Sequence, residues 1–258
     1  MSALRYVYGI APAGGALAID STQLEGIEGG RVRSITEGEL LAALSDVDSD
    51  VYDSAPLNEH IRDLDWLTPR AAAHQAVNGR LLELLGTVLP LSFGAIYRDD
   101  DRVRQMLGDD ATERASRLRD LEGRAEWVLT LTRDAAAPAD EDEIRTLDAQ
   151  IATSAPGRAF LLEKRRSSTI ARTLERRDAE AADEAMAAMD EVAEKSYREA
   201  VASAGTDVVV LRASILVARA REKALAGAIE RAESVLAERG YRLRASGPWP
   251  AYRFGGMP

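Results

Sequence analysis

Few residues in this chain are equipped for chemistry. Among 258 residues there are only two histidines, His60 and His74, and no cysteine. Disulfides, thiolate metal sites and cysteine nucleophiles are thereby excluded. A histidine-rich metal site is excluded with them, and a mixed histidine–carboxylate site needs distant acids to converge. His74 sits among apolar residues at helical spacing, where a structural or surface role is expected over acid–base work. Asp46, Asp48 and Asp50 in DVDSDVYDSAPL (46–57) match the opening of a calcium loop. That loop needs glycine at its sixth position and glutamate at its twelfth. Val51 and Leu57 stand there instead, so the segment reads as a solvated acidic loop. GIAPAGG lacks the Lys-Ser or Lys-Thr of a phosphate loop, and GIEGG lacks the strand–glycine–helix context of a dinucleotide site. There is no G-x-S-x-G elbow. No catalytic, metal or cofactor-binding residue is assigned, and the chain is expected not to be an enzyme.

The same economy shows in the charges. Formal net charge is −10, with 46% hydrophobic and 29% charged residues, the profile of an ordinary globular protein with little general attraction for phosphate. One basic concentration stands out, EKRRSSTIARTLERR (163–177), with Lys164, Arg165, Arg166, Arg172, Arg176 and Arg177. Glu163, Glu175 and Asp178 interrupt it, which reads as a solvated helix face, with docking of an acidic partner as the alternative. MSALRYVYGI shows no secretory signal. The central uncharged stretch LLGTVLPLSFGAIY (84–97) is too short to span a bilayer and carries a proline.

The elements that must position these residues read as follows. RYVYGIA (5–11) is a strand and PAGGA (12–16) a turn, with short strands possible at 17–19 and 32–36. ELLAALSDV (39–47) is taken as a strand. A helix follows over 70–89, with Thr68 as N-cap and Pro69 in first position. Then come a strand over 89–97, helices over 99–107 and 111–122, and a strand over 125–133. This predicts an α+β domain over 1–136, its helices on one face of the sheet. The Ala-, Pro- and acid-rich stretch 134–143 marks a boundary, and 137–156 is expected to be linker or loop. The second domain, 157–258, is also expected to be α+β. It holds a long helix over 157–204 with a seam of Ala182, Met186, Met189, Ala193, Tyr197 and Ala200. A strand (207–218), a helix (221–240) and a strand (241–246) complete it.

GPWPAYRF (247–254) sets prolines among aromatics near the end given. Pro248 and Pro250 hold the backbone extended and lower the entropy lost on fixing it. Trp249, Tyr252 and Phe254 then either close a groove on their own chain or bind a partner. YVYGI, PLSFGAIY and GPWPAYRF, with LEGRAEWVLTL and GRAFLLEKR between them, are collinear along essentially the whole chain. Together they resemble the gas vesicle protein L/F family (GvpL/GvpF). Two departures are Ala251, where the family pairs two prolines, and Ser92, where it often carries arginine.

The resemblance implies a non-enzymatic, cofactor-free accessory protein of gas vesicle formation, cytoplasmic and at the gas vesicle. Its partners are expected to be the hydrophobic shell protein or other accessory proteins, bound during vesicle nucleation. It also implies a modified ferredoxin-like N-terminal domain and a C-terminal α+β domain with long helices. The alternative is a nucleic-acid-binding ferredoxin-like module presenting Tyr6 and Tyr8 from one strand face. These lack basic company, so neither nucleic-acid binding nor a membrane span is expected.

Overall fold

The computed structural model describes residues 3–134, 142–201 and 207–255. In chain order the elements of the first half are β1 (Ala3–Pro12), α1 (Ala16–Ser21), β2 (Arg33–Glu37), β3 (Leu40–Asp48), α2 (Ser49–Tyr52), α3 (Ser54–His60), α4 (Leu64–Leu85), β4 (Leu89–Pro90), β5 (Ile96–Tyr97), α5 (Asp100–Gly108) and α6 (Ala111–Leu121). The second half adds β6 (Arg124–Asp134), α7 (Asp142–Ala152), α8 (Pro156–Asp190), β7 (Lys195–Arg198), β8 (Asp207–Ala218), α9 (Glu222–Ala237), β9 (Tyr241–Trp249) and α10 (Tyr252–Gly255). The architecture is mixed α+β throughout.

Two compact units emerge, one of Met1–Trp127, Leu216–Ala220 and Gly247–Pro258, the other of Val128–Ile215 and Arg221–Ser246. This grouping differs from a division at 137–156, because β6, β8 and β9 each contribute residues to both units. It also returns the tail to the first unit. The expected linker itself contains a regular helix, α7, whose Ile144 and Leu147 are buried.

In the first unit an antiparallel sheet has the order β2-β3-β1-β4, with β5 also on β1. β1 is buried on both faces, as its unbroken apolar run requires. Leu4, Tyr6, Tyr8 and Ala11 enter one core with Val77, Leu81 and Leu82 of α4. Val7 and Ile10 enter another with Val103 and Leu107 of α5 and Leu118 and Leu121 of α6. A register shift between Val7 and Gly9 reverses the alternation midway. Helices thus cover both faces, not the one expected. At the sheet's border the Asp20 carboxylate accepts from the Ser34 backbone N–H at 2.8 Å and from its hydroxyl at 2.9 Å.

Local differences have local causes. α4 begins at Leu64, not after Thr68, because Asp63 accepts from the N–H groups of Asp65 and Trp66. Pro69 therefore lies inside the helix. Residues 17–19 are helical, and 89–97 gives two short pieces that each pair with β1. They are separated by a turn in which Gly94 has φ +89°, a left-handed value that favours glycine.

In the second unit the order of elements is strand, helix pair, two strands, helix, strand, and the sheet order is β7-β8-β6-β9. That is the arrangement of the ferredoxin-like βαββαβ unit, and the first unit repeats it: β1, α1, β2, β3, α4 and β4 follow the same element order, and β2-β3-β1-β4 is the same antiparallel strand order. α8 buries Ala182, Met186 and Met189 of the predicted seam. It stops at Asp190, and Tyr197 belongs to the exposed strand β7. Arg133, buried in the sheet, is held by Asp178 of α8 at 2.8 and 3.3 Å, and Tyr241 donates to the same carboxylate at 2.9 Å.

Candidate functional site

The most elaborate polar arrangement lies in the first unit, between β1 and α4. Asn78 and His74 are one turn apart on α4, and both are buried. The Tyr6 hydroxyl is 3.0 Å from His74 Nδ1 and accepts from the Gly94 N–H at 3.1 Å. His74 Nε2 is 3.1 Å from the Leu91 carbonyl, and Asn78 Nδ2 donates to the Tyr8 carbonyl at 3.1 Å. A carbonyl accepts only, so the geometry assigns the imidazole proton to Nε2 and leaves Nδ1 to accept from Tyr6. Burial pushes the His74 pKa down to about 4 and raises that of Tyr6. Every group here is tied to the packing of β1, α4 and the 89–97 segment. The arrangement is structural.

The tail closes this region. Pro250, Ala251 and Gly255 are buried, Trp249, Tyr252 and Phe254 are half-buried, and Pro248 is exposed. Ala251 and Phe254 join the core of Leu89, Leu118 and Leu121. The Tyr252 ring lies 6.4 Å from that of His74. Its buried hydroxyl faces Asn78 without reaching hydrogen-bond geometry. Burial lifts its pKa to about 12. Glu126 accepts from the Arg253 N–H at 2.7 Å, and Gly247 packs directly on Trp127 and the Glu126 carbonyl.

A cleft of about 610 Å³ opens elsewhere on the same unit, lined by Val47, Val51, Tyr52, His60, Trp66 and Arg70, with Glu28, Asp46 and Asp48 among its polar groups. His60 stacks on Trp66 with ring centroids 5.0 Å apart, and the Arg70 guanidinium lies 4.2 Å from the centroid of the same indole. Arg70 donates to Glu28 from Nε at 2.8 Å and from Nη2 at 2.5 Å. Burial raises the Tyr52 pKa, and Arg70 partly offsets the rise. The cleft offers apolar area and a pre-paired charge but no free nucleophile. Its residues escaped the sequence reading because Trp66 and Arg70 share a face only once α4 starts at Leu64. Their four-residue spacing was the available signal.

The acidic loop is also occupied by its own chain. Asp46 lies 3.4 Å from Arg5 and 3.3 Å from Arg33, and Asp48 caps α2 by accepting from the Asp50 N–H. Asp100 pairs with both arginines, which hold its carboxyl down to about 2, Arg33 contributing most. In the basic segment Arg165 and Arg166 pair with Glu143 and Asp148 of α7, and Arg176 with Glu180. Among the described residues no group of three or more histidine or acidic side chains is placed to hold a metal ion, and no helix is long and apolar enough to cross a membrane.

Comparison with known proteins agrees along the whole length. Residues 4–255 match the model of the family described as "Gas vesicle synthesis protein GvpL/GvpF". The chain is 31% identical to gas vesicle protein L of a Streptomyces strain, covering 98% of this chain and 93% of that protein. It is 28% identical to gas vesicle protein F of the same strain, covering 96% and 98%. The crystal structure of GvpF from Anabaena shares the fold with a TM-score of 0.78 at 17% identity, each chain covered completely.

Proposed function

This chain belongs to the GvpL/GvpF family of gas vesicle synthesis proteins, and we propose that it acts purely by binding. In this reading it is an accessory protein at the gas vesicle, in the cytoplasm, that holds the hydrophobic shell protein or another accessory protein while a vesicle nucleates. The observation that carries it is the cleft around Trp66, where Tyr52, His60 and Val51 present apolar area beside the Arg70–Glu28 pair. Such a surface adheres, with a charge pair that fixes orientation and no group poised for turnover. The packing of Ala251, Tyr252 and Phe254 against their own unit supports a structural role for the tail, so the adhesive surface is assigned to the cleft. We read the two units as separate domains, each with a ferredoxin-like strand order.

The nucleic-acid alternative is weakened by one observation: Tyr6 and Tyr8, its intended stacking platform, are completely buried. Co-precipitation of the full chain with shell protein tests the proposal, with Trp66→Ala as the second arm. The wild type is expected to retain shell protein, and the variant to lose it while melting within a few degrees of wild type. A wild-type chain that retains neither shell protein nor any accessory protein contradicts the reading.

A further inference from the structure

The outer face of α8 carries a pattern that the proposed binding cleft does not use. Phe160 and Leu161 are 67% and 66% exposed on consecutive positions, where a helix facing only water would hold polar residues. The inward face of the same stretch is marked by buried Thr169 and Thr173. Opposite them an exposed row runs through Leu161, Lys164, Ser168, Ala171 and Glu175, successive members being three or four residues apart as one helix face demands.

Lys164 and Glu175 decide what covers this row. Their neighbours Arg165, Arg166 and Arg176 are all engaged in ion pairs within the chain. Lys164 and Glu175 have none among the described residues. They are opposite in sign and eleven residues apart, about three turns or 16 Å along one face. Between them stand the small side chains of Ser168 and Ala171, which let another helix approach closely.

We propose that this face pairs two copies of the chain, α8 against α8 in antiparallel fashion. A two-fold axis crossing the helix between Thr169 and Ile170 sets Lys164 opposite Glu175 of the second copy, and the reverse contact repeats by symmetry. The same axis sets Ser168 opposite Ala171 and Phe160 opposite the exposed Ala179, large against small. The surface is self-complementary, as an isologous contact must be. An acidic partner or an anionic membrane would meet Lys164 favourably and Glu175 unfavourably. Two exposed large apolar residues are also too few to anchor a helix in lipid.

Sedimentation equilibrium of the full chain over about 5–200 µM tests this, a range suited to a small, partly polar interface. Wild type is expected to dimerise reversibly. Lys164→Glu and Glu175→Lys place like charges opposite each other twice, and each is expected to weaken dimerisation about tenfold. Mixing the two variants restores both contacts, and the mixture is expected to recover association as a heterodimer. Ser168→Cys supplies the sole thiol of a cysteine-free chain and is expected to cross-link with a short bis-maleimide. A chain that stays monomeric across the range overturns the proposal. So does dimerisation that neither reversal weakens, or a single-variant mixture that fails to recover it.

Discussion

The Tyr6 hydroxyl and His74 Nδ1 lie 3.0 Å apart in the buried seam between β1 and α4, and the hydroxyl donates to Nδ1 while the imidazole is neutral. Protonation of Nδ1 turns that acceptor into a donor, leaves the Tyr6 O–H without its acceptor, and puts a charge into a buried site.

Acid should therefore destabilise the first unit through His74. Its folded-state pKa is lowered from 6.5 to about 4 by burial, so the unfolded chain binds this proton more tightly. The contribution is complete above pH 6.5 and is lost as pH falls through the window down to about 4, amounting to about 3 kcal/mol at most. Denaturant titrations at pH 7.5 and 4.5 are expected to show this slope. His74→Gln is expected to be less stable at pH 7.5 and flatter with pH. An equal slope in the variant would assign the acid sensitivity to other groups.

Two tyrosine-to-phenylalanine changes should separate a used hydroxyl from an idle one. Tyr6→Phe strands both His74 Nδ1 and the Gly94 N–H and is expected to cost about 1–3 kcal/mol. Tyr252→Phe removes a buried hydroxyl that has no hydrogen-bond partner among the described residues, and is expected to be neutral or stabilising by up to about 1 kcal/mol. Urea midpoints of the two variants, read against wild type, make the comparison. The reverse ranking would show that Tyr252 and Asn78 do bond.

Gly247 should tolerate no side chain. Its φ is +149°, and a Cβ there would meet Trp127 at 2.8 Å and the Glu126 carbonyl at 2.9 Å. Gly247→Ala is expected to cost about 2–4 kcal/mol by strain and displacement of the strand end. Circular dichroism melting detects it, and an unchanged melting temperature would mean that the tail is not held there.

Truncation after Trp249 tests the tail as a closing element. Removing Ala251, Tyr252 and Phe254 uncovers the Leu89–Leu118–Leu121 core, at a cost of about 2–5 kcal/mol by the area rule. Shell-protein retention is expected to persist at temperatures where the truncated chain stays folded. Loss of retention with unchanged melting would make the tail the binding surface.

Much of this was legible in the residues, and the gaps have physical reasons. The strands β1, β3, β6, β8 and β9 follow from runs of β-branched and aromatic residues bounded by turns, and α5, α6 and α9 from spaced apolar positions with their stops. α4 was shortened because Thr68-Pro69 is a persuasive helix start, and only the Asp63 side chain reveals the true one. The helix over 157–204 ran too long because alanine spacing continues past Asp190 while pairing with β8 claims Lys195–Arg198. Coverage of both sheet faces shows in the unbroken apolar run of β1, but which helices lie on which face follows only from the packing of α4 on one side of the sheet and of α5 and α6 on the other. The cleft was missed for a related reason: Glu28, Tyr52 and Trp66 are far apart in sequence, and only the tertiary fold gathers them.

The Asp20 carboxylate, clasped to main chain and hydroxyl of Ser34, has a consequence for the open edge of this sheet. A bare sheet margin invites another polypeptide to zip on as an extra strand, a union that is slow to undo and indifferent to identity. With the Ser34 N–H already taken, a strand adding itself along β2 would forgo that rung of its ladder.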